Sequence, residues 1–224
     1  MTINNKELLT YSYILQELYA KKDAMYKDFV AKLTPTIEKR SILGVRMGAL
    51  RSLARDVKEK SDFDIFSDSS FTYREEKLLY ALCIFKMNSK FEDAMRTLDA
   101  FLPYIDSWEV TDLLAGEFCF DKAHKEAAFD KASSYIQSME EYTVRLGLVI
   151  MLKHFNNAIY IERLLCLIKK ISVDTYYVNM AAAWLLCELY FTKKDAIENY
   201  LACECANEDI KKKTLQKIRE SMKK

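Results

Sequence analysis

An all-α chain, stacked as a solenoid of antiparallel helix pairs, is what this sequence predicts, and three observations carry the prediction. Only 4 Gly and 2 Pro occur in 224 residues, far below the usage of folds built on tight turns. No proline follows Pro103, so the last half of the chain carries no ring that breaks a helix. Apolar residues recur with helical spacing from end to end, and no comparable run alternates with period two.

The stripes follow in chain order. Leu8, Tyr11, Leu15 and Leu18 form the first, and Met47, Leu50, Leu53, Ala54 and Val57 the second. Leu78, Leu79, Leu82 and Phe85 come next, then Phe91, Ala94, Met95, Leu98 and Phe101. Ala128, Phe129, Ala132 and Ile136 are followed by Leu148, Val149 and Leu152, and by Ile161, Leu164, Leu165 and Ile168. The last three are Tyr177, Val178, Ala181 and Leu185; Ala196, Ile197 and Tyr200; and Ile210, Leu215 and Ile218. Polar breaks at Ser41, Asn88-Ser89, Asp106-Ser107, Asn156-Asn157, Asp174 and Asn207 read as caps and short links, and 61–70 as the longest polar loop. About ten to twelve helices result, with pairs recurring every ~35–40 residues, the period of HEAT-like repeats. A globular helical bundle is the structural alternative. One domain over 1–224 is expected.

Composition excludes several function classes. Lys and Arg number 34 against 33 Asp and Glu, so the chain is not basic overall. The opening Met1-Thr2-Ile3-Asn4-Asn5-Lys6-Glu7 lacks a signal-peptide pattern, and no apolar run approaches the ~18–20 residues that span a bilayer. A cytoplasmic protein without a membrane partner is expected. Six cysteines read as reduced thiols in the core, and Cys203-x-Cys205 lacks the second pair or histidine of a zinc site. Phosphate-loop, zincin and serine-elbow motifs are absent. His124 and His154 stand 30 residues apart and read as surface or capping residues. No metal and no cofactor are expected.

The informative segment is Ser107-Trp108-Glu109-Val110-Thr111-Asp112. Ser107 is a plausible N-cap, and Trp108 and Asp112, at i and i+4, share a helix face. Arg145 interrupts an apolar helix 37 residues after Trp108, and Trp184 another 39 residues after Arg145. Each step is about one repeat, which places these residues at matching positions of successive pairs. Taken singly, a tryptophan in a helical protein is ordinarily core and an arginine among apolar residues ordinarily snorkels.

Together with Gly44-Val45-Arg46, Tyr142-Thr143-Val144-Arg145, Tyr176-Tyr177-Val178-Asn179-Met180-Ala181-Ala182-Ala183-Trp184 and Lys213-Thr214-Leu215-Gln216-Lys217, the segment resembles the AlkD-like HEAT-repeat glycosylases of DNA alkylation repair. The resemblance runs over most of the chain. One departure is Gly48, where the family usually has proline. It implies excision of N3- and N7-alkylated purines from duplex DNA, with Trp108, Asp112, Arg145 and Trp184 as the matching active-site positions. Asp112 would stabilise positive charge on the sugar and activate water; the two tryptophans would flank sugar and cationic base; Arg145 would bind a flanking phosphate and orient Asp112. The family further implies that the lesion is processed without insertion into a tight base pocket.

Local charge supports a DNA partner. Segment 38–60, with Arg46 and Arg51, carries a net +4, as does segment 207–224, with Lys211, Lys212, Lys213 and Lys217. Double-stranded DNA with alkylated bases is the expected partner and a monomer the expected state. A non-catalytic HEAT-repeat protein that binds damaged or branched DNA, or a protein-binding scaffold, is the alternative.

Overall fold

Residues 9–222 are described by a computed structural model. Leu8 of the first stripe, the opening Met1–Glu7 and the basic Lys223 and Lys224 lie outside these residues. All regular structure within them is helical, in twelve α-helices. The chain divides into two compact units, 1–119 and 120–224.

The first unit holds α1 (Tyr11–Ala20), α2 (Ala24–Leu33), α3 (Met47–Lys60), α4 (Arg74–Met87), α5 (Phe91–Phe101) and α6 (Trp108–Glu117). Helix α4 is its axis: α3, α5 and α6 all pack on it. The second unit holds α7 (Lys125–Ile136), α8 (Glu141–His154), α9 (Ile161–Lys169), α10 (Tyr176–Thr192), α11 (Lys194–Asn199) and α12 (Glu208–Ser221). Here α8, α10 and α12 stack in sequence, while α7 lies on α8 and α11 on α10. Every second helix packing on the next is the arrangement of an α-solenoid. It also explains burial: α8 is buried continuously from Thr143 to Leu152 because it has neighbours on both sides.

Local chemistry sets the helix ends. Asn207 accepts from the backbone N–H groups of Asp209 and Ile210 at 3.0 Å, as its place in the sequence predicts, and Asp23 caps α2 by accepting from Tyr26. Asn88 closes α4 by donating to the Ile84 carbonyl at 2.8 Å. Three features depart from the sequence reading. Helix α2 shows no clean stripe and is held by its cap and by Val30 alone among its buried residues. After α11 the chain winds into one π-helical turn, Tyr200–Glu204, so the Ala196–Tyr200 stripe spans two kinds of helix.

The loop over 61–70 is not purely polar. Its short turn Phe63–Phe66 buries Ile65 and Phe66. Phe63, Phe66 and Phe71 all meet the Tyr80 ring at 4.9–5.0 Å between centroids. Phe71 adopts φ +48°, and its contacts with Phe101 and Tyr104 hold it in that unfavoured conformation. Aromatic residues scattered among serines and aspartates carry no periodicity, which is why the sequence hides this cluster.

Candidate functional site

In the first unit the site is built on α6. Ser107 occupies the N-cap position, yet its hydroxyl is fully buried and makes no capping bond. The Trp108 indole N–H donates to the carbonyl of Leu33 at 3.0 Å, satisfying an orphan acceptor at the end of α2. The Thr111 hydroxyl lies 2.8 Å from the Trp108 carbonyl and 3.2 Å from Asp112 Oδ1. Asp112 is half-buried, one turn beyond Trp108.

A buried charged network fixes the start of α6. Arg74 is 2% exposed and grips both carboxylate oxygens of Glu109, the residue after Trp108. Its Nη1 reaches Glu75 Oε1 at 3.0 Å. Burial works to lower the Arg74 pKa; the hydrogen bond and charge of Glu109, with the charge of Glu75, outweigh it and raise the pKa. The fully buried Glu75 accepts from the backbone N–H groups of Leu43 (3.0 Å), Gly44 (2.8 Å) and Val45 (3.2 Å). Gly44 sits at φ +87°, and a Cβ there would lie 2.2 Å from the Asp23 carbonyl oxygen. Next in the chain, Arg46 bonds Asp23 Oδ2 at 2.9 Å and lies 4.7 Å from the centre of the Tyr26 ring. The Gly-Val-Arg element is therefore a folded support, tied through Glu75, Arg74 and Glu109 to the helix that carries Trp108 and Asp112.

Of the basic residues proposed for DNA in this unit, Arg46 is 64% exposed in its pair with Asp23, and Arg51 is 47% exposed in its pair with Glu117 at 2.6 Å. Lys86, which sequence reasoning missed, shares Glu117 with Arg51.

The second unit holds Arg145 on α8 and Trp184 on α10. Arg145 is 6% exposed; its Nη1 donates to the Tyr177 carbonyl at 2.9 Å, and its guanidinium lies 5.9 Å from the Tyr177 ring centre. Tyr177 and Trp184, seven residues apart, share one face of α10. Trp184 is half-buried, and the Lys153 ammonium stands 5.7 Å from its ring centre. Gly147 lets α8 approach α7: a Cβ there would lie 2.7 Å from the Ala132 carbonyl oxygen.

Two adjoining hollows open between α10 and α12. The larger, about 430 Å³, is lined by Trp184, Cys187, Glu188, Lys217, Glu220 and Ser221. The smaller, about 230 Å³, is lined by Tyr176, Met180, Lys213, Gln216, Lys217 and Glu220. Lys213 pairs with Asp209 at 2.5 Å and stands 5.4 Å from the Tyr176 ring. Lys211 approaches Glu208 only to 3.9 Å, and Lys212 is exposed.

The two histidines take structural positions. His124 precedes α7 with its ring 2.7 Å from Asp121, and His154 ends α8 against the Phe120 ring. Cysteines correct the expectation of core thiols. Cys83 and Cys187 are buried, with burial pushing the Cys83 thiol up to about 12, but Cys119, Cys166 and Cys203 are exposed. Cys166 falls on an outward position of α9, while Cys119 follows the end of α6 and Cys203 lies in the π-helical turn, where no stripe applies. The described residues contain no cluster fit to hold a metal ion and no helix long and apolar enough to cross a membrane.

A family model described as DNA alkylation repair enzyme matches residues 14–224. The chain belongs to that family. The match includes both units and every candidate residue named above, and it makes DNA repair the role of the protein. Comparison with curated proteins returns no match. Within the alkylation repair family, the resemblance read from Gly44-Val45-Arg46 and Trp108-x-x-x-Asp112 is thus upheld.

Proposed function

We propose that this alkylation repair enzyme is a monofunctional DNA glycosylase that releases positively charged N3- and N7-alkylpurines from duplex DNA. The observation that carries the reading is the Trp108–Asp112 pair on α6: an indole held by the Leu33 carbonyl, and a half-buried carboxylate one turn away on a helix anchored by Arg74 and Glu109.

The chemistry needs little more. An alkylated ring nitrogen leaves the purine cationic, so the base departs without protonation and the usual second carboxylate, the acid, is dispensable. As the C1′–N bond breaks, its electron pair neutralises the purine and positive charge develops on the sugar. The Asp112 carboxylate stabilises that charge and takes a proton from the water that bonds to C1′. Trp108 and Trp184 supply aromatic faces for the sugar and the cationic base. Arg145 holds a flanking phosphate, and the protein acts as a monomer in the cytoplasm. Arg46, Arg51, Lys211, Lys212, Lys213 and Lys217 supply phosphate contacts without sequence preference.

Asp112→Asn is the direct test. Base release from methylated duplex DNA falls about 10²–10⁴-fold, the usual contribution of a positioned base, while duplex affinity stays near wild type. Release at the wild-type rate would remove Asp112 from the mechanism. Duplex binding without any release by the wild-type chain would leave a DNA-binding protein that is not a glycosylase.

A further inference from the structure

Thr111 links the two candidate residues of α6. It is fully buried, and its hydroxyl lies 2.8 Å from the Trp108 carbonyl and 3.2 Å from Asp112 Oδ1. Thr97, Thr192 and Thr214 make the ordinary local bond of a helical threonine, donating to the carbonyl four residues earlier. Thr111 departs from them twice. It reaches the carbonyl three residues earlier, and it has a carboxylate as a second acceptor.

A hydroxyl has one proton to donate, so the two acceptors compete for it. The charge on Asp112 decides the competition. An ionised carboxylate is the stronger acceptor and draws the proton to Oδ1; a protonated Asp112 loses that advantage to the nearer Trp108 carbonyl. Burial shields the donor from water, and the β-branch restricts its χ1. The carboxylate torsion of an aspartate is broad by itself, so the fixed hydroxyl is what narrows it.

We propose that Thr111 is a positioning residue: its buried hydroxyl holds Asp112 Oδ1 and so sets the rotation of the carboxylate toward the water that attacks C1′. When Asp112 takes the proton of that water, its charge is lost and the Thr111 hydroxyl turns to the Trp108 carbonyl. The buried donor is thus satisfied before and after the transfer. The inference deepens the glycosylase reading and rests on it for the reaction that Asp112 performs.

Two variants of the full chain separate the hydroxyl from the packing. Thr111→Val keeps the branched shape and removes the hydroxyl; Thr111→Ser keeps the hydroxyl and removes the methyl. Base release is followed in single turnovers at saturating enzyme, on duplex carrying 7-methylguanine. Thr111→Val slows release about tenfold, from the lost orientation of one group, with the half-saturating enzyme concentration unchanged. Thr111→Ser restores release to within about twofold of wild type, because the donor is back. A second readout needs no turnover. With aspartate 13C-labelled at its side-chain carboxyl, the Asp112 signal is identified by its loss in Asp112→Asn. Thr111→Val displaces that signal and Thr111→Ser returns it. An unmoved signal in Thr111→Val, equal slowing by both variants, or wild-type release by Thr111→Val overturns the proposal. A wild-type chain that releases no base removes the glycosylase reading, and the carboxyl signal then decides by itself whether Thr111 holds Asp112.

Discussion

The two units hold their candidate residues by different physics. In residues 1–119, Arg74, Glu75 and Glu76 are all within 2% of full burial, and a charged chain from Glu75 through Arg74 to Glu109 anchors the helix of Trp108 and Asp112. In residues 120–224, only Arg145 among the described charged residues is buried, and Trp184 rides on a helix fixed by apolar stacking: Ala181, Ala182 and Ala183 inside, with Gly147 closing α8 onto α7. A buried ionic network is specific and fails sharply when one partner is lost. Apolar stacking tolerates loss more gradually but is sensitive to added volume.

Each unit contains one tryptophan, so Trp184→Phe and Trp108→Phe backgrounds report on the first and second unit separately. The largest expected effect is Arg74→Met. The half-buried Glu109 and the buried Glu75 each lose a charged partner, and the Trp108-reported transition in urea loses about 3–5 kcal/mol. A loss below about 1 kcal/mol would show that the network does not support α6. Next comes Gly147→Ala, whose Cβ meets the Ala132 carbonyl; the Trp184-reported transition loses about 1–3 kcal/mol, and an unchanged midpoint would mean that α7 and α8 separate freely.

An acid titration sharpens the contrast. Asn179 donates to both Asp174 (2.7 Å) and Asp209 (2.8 Å), bridging the start of α10 to α12. Asp174 is held below the usual carboxylate range by Asn179 and then Asn207, and Asp209 by Lys213 and then Asn179. Depressed folded-state values stabilise the folded chain above the unfolded carboxylate pKa of about 3.9, and that contribution is lost as pH falls through the folded values. The Trp184 signal therefore stays flat from neutrality to about pH 5 and declines below about pH 4. Asn179→Ala moves that decline to higher pH; an unmoved midpoint would dismiss the bridge. The smallest effect is a gain. Gly48 lies in the first turn of α3, where an added Cβ would meet nothing within 4 Å, so Gly48→Ala adds about 0.4–1 kcal/mol to the Trp108-reported stability. A loss instead would show that this turn needs glycine.

The Gly-Val-Arg element illustrates how far a sequence reaches. Its residues were legible as a family mark, but the reason for them was not: Gly44 is required by the Asp23 carbonyl, 21 positions earlier, and Arg46 by Asp23 and Tyr26. Arg74 reads in the sequence as an ordinary charge at a helix start, and only its neighbours reveal a buried anchor. The contacts of Lys86 and Lys153 are hidden for the same cause: each lies on its own helix and meets a residue of another, Glu117 and the Trp184 ring.

Period, polar breaks and the scarcity of glycine and proline determined by themselves that the chain is helical, roughly where its helices lie, and which face of most of them turns inward, because those properties depend on residues within a turn or two. The Trp108-x-x-x-Asp112 face was readable for the same reason. Tertiary structure alone decided which charges are buried, which thiols are exposed, how the loop over 61–70 folds its aromatic rings inward, and that Glu188 and Lys217 border one hollow. Those outcomes depend on contacts between segments far apart in the chain, and no local pattern encodes a distance across space.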